Sequence, residues 1–116
     1  MISHIVLFRP RADVTPREQR AFVAALENAC RHVPTISRAT IGRSLPDSNG
    51  RDFPYTAVIE FEDEAGFAAY LAHPLHDPLA ALFRQTCAAT LVVNTRTTDA
   101  GQPLAAFLLK PSGADG

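Results

Sequence analysis

A small α+β domain built on a four-stranded antiparallel sheet is the fold that this chain of 116 residues predicts. Three observations predict it. Runs rich in β-branched and aromatic residues alternate with stretches of helical periodicity in the order strand, helix, strand, strand, helix, strand. Each helical stretch opens on a residue suited to cap it. The first strand run is apolar on both faces, so both faces of the sheet need a cover.

The run "ISHIVLF" (residues 2–8) puts Ile2, His4, Val6 and Phe8 on one face and Ser3, Ile5 and Leu7 on the other. Thr15 then serves as an N-cap, Pro16 as the first helical residue and Glu18 as the partner of a capping box. Phe22, Leu26, Ala29 and Val33 recur at helical spacing, with Val23 and Cys30 alongside, until Pro34 ends the helix. "TISRATIGRSL" and "YTAVIEFE" read as a hairpin whose loop holds the turn signal Asn49-Gly50. Asp63 caps a short helix with Phe67, Tyr70 and Leu71 as its inward stripe, and Pro74 stops it. Asp77 and Pro78 repeat the cap-plus-proline start for a third helical piece carrying Leu79, Leu82 and Phe83. "TLVVNTRT" is the last strand.

That order is the split βαβ, or ferredoxin-like, βαββαβ pattern, in which the helices cover one face of the sheet. The other face would expose more apolar surface than monomers usually carry. A second copy packed sheet to sheet, as a C2 homodimer, is the economical cover. The domain spans residues 1–97. In the extension over 98–116, "LAAFLLK" gives Leu104, Phe107 and Leu108 helical spacing, as for a short docked helix.

Composition narrows the partners. With 47% hydrophobic and 20% charged residues the chain has the make-up of a soluble globular protein. A net charge of −1 with scattered arginines gives no basic stripe for nucleic acid. No run reaches the length of a membrane span, and "MISHIVLF" lacks the basic segment of a signal peptide. Cys30 and Cys87 are expected to be free thiols in helical stretches of a cytoplasmic protein.

Chemistry concentrates in "YLAHPLHDP" (residues 70–78). His73 and His76 make a poor metal pair, since the proline between them breaks the register that would align them and no cysteine pair or carboxylate cluster completes a set. Neither cysteine has a sequence-visible base partner, and the chain has no phosphate loop or dinucleotide fingerprint, so no cofactor is expected. Arg9, Arg11, Arg43 and Arg51 read as solvated loop charges before they read as a rim for an anionic substrate.

The opening "MISHIVLF", the segment "VIEFEDEAGFAAYLAHPLH" and the closing "LVVNTRT" together resemble the Dabb family of stress-responsive dimeric α/β-barrel domains, from Met1 to about Thr97. The resemblance implies a ferredoxin-like fold and a dimer whose two sheets form a barrel. The extension after Asp99 departs from it. Within the family, the motif is similar to that of the olivetolic acid cyclase type, which closes a linear polyketide thioester by intramolecular aldol condensation without cofactor. The match implies catalytic roles for Tyr70, His76 and His4 on a hydrophobic carbonyl ligand.

An aldol cyclisation needs a base for the proton next to a carbonyl and a donor for the enolate oxygen. His76 suits the first task, Tyr70 the second, and His4 an orienting one. Each residue also has a plainer role. His4 is then a satisfied core histidine, Tyr70 a packing residue with its hydroxyl bonded, His73 a partner for a last-turn carbonyl, and His76 a turn closer. The competing functions are a non-catalytic stress-responsive or ligand-binding domain and a cofactor-independent monooxygenase. An apolar pocket between helices and sheet, faced by Tyr70 and His76, separates the enzyme from the filled domain.

Overall fold

The computed structural model describes residues 1–46, 51–98, 103 and 105. The expected Asn49-Gly50 turn and the helix expected around Leu104, Phe107 and Leu108 lie outside the described residues. Seven elements follow in order: β1 (Ile2–Pro10), α1 (Pro16–His32), β2 (Arg38–Arg43), β3 (Tyr55–Phe61), α2 (Glu64–Ala72), α3 (His76–Thr86) and β4 (Cys87–Arg96). The sheet order is β2-β3-β1-β4, with every neighbouring pair antiparallel. This is the ferredoxin-like arrangement, with the second helix split in two.

Register assigns the faces. His4 stands opposite Ile59 on β3 and Asn94 on β4, and Val6 stands opposite Ala57 and Val92. Ile2, Val6, Phe8, Ala57, Ile59 and Phe61 are all buried on the side that the helices cover. They form two linked clusters. One gathers Ala29, Val33, Tyr70 and Leu79 around Phe61. The other packs Phe22 and Phe83 edge-on to the Phe8 ring, at centroid distances of 6.0 and 5.2 Å. The opposite face presents Ile5 and Leu7 between Val58 on β3 and Val93 and Leu91 on β4. Among the described residues it stays open: Leu91 is 48% and Val93 42% exposed.

Helix α1 starts as its sequence predicts. Glu18 N–H donates to Thr15 Oγ1 and Thr15 N–H donates to Glu18 Oε1, both at 3.1 Å. The Glu18 carboxyl is held below its ordinary value by the Thr15 backbone N–H first and by Arg11 next. Thr15→Ala is expected to cost about 1 kcal/mol in a denaturant titration. An unchanged midpoint would show that the box contributes nothing.

Several boundaries differ from expectation. Val23 lies a quarter-turn of α1 away from the Phe22–Leu26 stripe and is 49% exposed. Leu71 likewise turns outward at 43% exposure, so Phe67 and Tyr70 alone form the inward side of α2. Helix α3 begins at His76 with Leu75 as an N-cap that makes no side-chain cap, rather than with Asp77 as the cap. Its first turn starts early because His76 N–H donates to the His73 carbonyl at 2.9 Å. Asp77 is thus inside the first turn, where its charge still favours the helix N-terminus. Strand β2 is shorter than its sequence stretch, and β4 opens at Cys87, directly after α3. Cys87 therefore sits in a strand, not in a helix.

Candidate functional site

His4, Tyr70 and His76 come from three elements and meet at one cavity. The cavity is about 320 Å³ and lies between the helices and the sheet. Its walls are mainly apolar, with Val6, Ala57 and Ile59 below and Phe22, Leu79 and Phe83 above. Arg84, Thr90 and Val92, which also line it, are exposed, so it opens between α3 and β4. Among the described residues no aspartate or glutamate lines it.

Strand β1 aims His4 at the helices, where its ring lies 5.4 Å from Phe67 and 6.0 Å from Tyr70. Its Nδ1 lies 2.6 Å from Asn94 Oδ1. With that oxygen accepting, His4 Nδ1–H donates, and Nε2 of the neutral ring is left as an acceptor. The cross-strand register supplies this pair: His4 and Asn94 are direct partners.

Tyr70 lies one helical turn beyond Phe67 on α2 and is 3% exposed, wedged against Phe61 at 5.3 Å between ring centroids. Tyr70 lines the cavity, and its hydroxyl has no hydrogen-bond partner among the described residues. Burial, followed by the charge of nearby Cys30, pushes its pKa up to about 12. The phenol stays protonated near neutrality and is poorly solvated, which suits a hydrogen-bond donor.

His76, the first residue of α3, meets the Tyr70 ring edge-on with centroids 5.0 Å apart. Its Nδ1 lies 3.3 Å from Asp77 Oδ1. The joint that delivers His76 is built by His73, whose Nδ1 accepts from Leu75 N–H at 3.1 Å while its own backbone N–H donates to the Tyr70 carbonyl. The His73 side chain thus holds the turn after the helix, not a last-turn carbonyl.

Other candidates lie elsewhere. Cys30 lines a separate groove between α1 and β2, and burial raises the pKa of both Cys30 and Cys87, which weakens them as nucleophiles. Arg9 pairs with Asp52, Arg11 with Asp13 and Glu18, and Arg43 lies over the Tyr55 ring. None of these, nor Arg51, lines the cavity. Among the described residues no group of three or more His, Cys, Asp or Glu side chains is placed to hold a metal, and no helix is long and apolar enough to cross a membrane. Two site residues escaped the sequence reading. Arg84 was legible in principle, because His76, Ala80 and Arg84 repeat every four residues and share a face of α3. Asn94 was not, since its pairing with His4 depends on strand register.

Solved structures place this architecture among known proteins. A dimeric ferredoxin-like protein of unknown function from Thermobifida fusca YX is 28% identical, with a TM-score of 0.69 over 83% of this chain and 90% of its own. A hydroxynitrile lyase from Passiflora edulis is 19% identical, with a TM-score of 0.77 over 88% of this chain and 96% of its own. SnoaB, a cofactor-independent oxygenase from Streptomyces nogalater, is 21% identical, with a TM-score of 0.64 over 89% and 95%. No curated protein matches the chain significantly. The family model described as the Stress responsive A/B Barrel Domain matches residues 2–96, which include the whole sheet, all three helices and the His4, Tyr70 and His76 positions. The chain belongs to that family, Dabb.

Proposed function

We propose that this protein is a cofactor-free lyase or cyclase that acts by general acid–base chemistry on a small hydrophobic carbonyl compound, of the aldol type. One observation carries the reading: Tyr70, whose hydroxyl has no hydrogen-bond partner among the described residues, lines an apolar cavity with an imidazole against its ring. A bound carbonyl oxygen would give that hydroxyl an acceptor. In this scheme His76 removes the proton next to the carbonyl. The Tyr70 hydroxyl donates to the enolate oxygen as charge develops there. His4, fixed by Asn94, offers Nε2 to orient a substrate hydroxyl. Cavity size suits the substrate class, being at the small end of the range for ligand sites. That a hydroxynitrile lyase shares the fold keeps lyase chemistry within its repertoire, without assigning it.

The working unit is proposed to be a homodimer closed through the open sheet face, in keeping with the dimeric protein from Thermobifida fusca. The cavity lies on the opposite side of the sheet, so each protomer keeps its own.

A panel of hydrophobic β-hydroxyketones and hydroxynitriles, followed by release of the carbonyl product, tests the reading. His76→Ala and Tyr70→Phe are each expected to lower kcat/KM by about 10²–10³ with circular dichroism unchanged. Undiminished turnover in both variants overturns the proposed roles. Binding without turnover across the panel makes the protein a ligand-binding domain instead.

A further inference from the structure

We propose that the occupant of the cavity carries one anionic group, and that Arg84 holds it while the apolar body reaches inward to Tyr70 and His76. The inference rests on the cavity being a ligand site, as proposed above.

Charge balance carries the argument. Arg84 lines the cavity and makes no ion pair or hydrogen bond among the described residues. Arg11, Arg31, Arg38 and Arg96 each lie beside a carboxylate, respectively Glu18, Glu27, Glu60 and Glu64, while Arg17, Arg20 and Arg51 are likewise unpaired among the described residues but do not line the cavity. On α3, the positions from which a helical neighbour could neutralise Arg84 are taken by Ala80 and Ala81, and the helix ends two residues after it. With no acidic residue in the lining among the described residues, Arg84 is the permanently charged group they bring to the cavity. Its guanidinium can present two parallel N–H groups to a carboxylate.

Geometry sets the reach. His76 and Arg84 share a face of α3, two turns and so about 12 Å apart along the axis. The cavity holds the volume of about ten water molecules. A medium-length acyl or aryl-alkyl carboxylate meets both limits, with its anionic head at the mouth and its carbonyl carbon near the acid–base pair. The competing role for Arg84 is local, since a cation in the last turn of α3 also favours the helix C-terminus.

Calorimetric titration of the full chain with octanoate and, separately, 1-octanol decides between them. The wild-type protein is expected to bind octanoate about three- to tenfold more tightly than the alcohol. Arg84→Gln should abolish that preference while leaving 1-octanol affinity unchanged, and Arg84→Lys should restore part of it. Ala80→Phe, which fills the cavity, should weaken both ligands. A preference that survives Arg84→Gln, or equal binding of the two probes to wild type, overturns the anion site while the cavity reading stands. Failure of both probes to bind overturns both proposals.

Discussion

Phe61→Ala is expected to cost about 3–5 kcal/mol of folding stability, the largest loss for a single core truncation in this chain. Phe61 is the largest fully buried side chain among the described residues. Its ring lies 5.4 Å from Phe67 and 5.3 Å from Tyr70, so the void would open directly beneath α2. Two effects add: the lost transfer energy of the ring and the contacts forfeited around the hole. Urea denaturation followed by circular dichroism measures the loss, and one below about 1 kcal/mol would refute the placement of Phe61 at the centre of the core. The same variant should loosen the wall that holds the Tyr70 phenol. Catalytic and stability losses are therefore expected to coincide here, unlike in Tyr70→Phe, where only the hydroxyl goes.

Val93→Glu should convert the proposed dimer into a monomer. Val93 stands opposite Ile5 on the uncovered face and is 42% exposed in the protomer, so a carboxylate there stays wet in the single chain. Packed against a second copy, it becomes two buried like charges related by the dyad. Each burial costs several kcal/mol, which weakens association by at least about a thousandfold. Light scattering on the eluting protein should report a dimer for wild type and a folded monomer for the variant. A variant that remains dimeric would place the interface elsewhere, and a monomeric wild type would leave the apolar face unexplained.

The folding pattern was legible because its signals are local. The β-branched and aromatic run "ISHIVLF", the Thr15–Glu18 capping box and the Asp63 cap act over a few residues, and the structure contains all three. Face assignments at helix margins were less legible. Val23 and Leu71 are apolar neighbours of an inward stripe, and only packing decides which neighbour turns out. The start of α3 was misread for a physical reason: the Asp77-Pro78 signal competes with a turn already propagating from His73, and the backbone bond from His76 N–H won. At the site, His4, Tyr70 and His76 were candidates from their types and motif, and they line one cavity. The bare Tyr70 hydroxyl could not be anticipated, because whether a partner is in reach depends on every element around it.

The joint at His73 has a consequence for how such a site diversifies. One histidine grips both segments, by its backbone on α2 and by its imidazole on the turn into α3, and the proposed proton donor, Tyr70, rides on one segment while the proposed acceptor, His76, rides on the next. Spacing between donor and acceptor is therefore governed by a hinge three residues long (Pro74, Leu75 and its histidine clasp) instead of by the strands. Substitutions there can re-gear the chemistry while the scaffold beneath is left untouched.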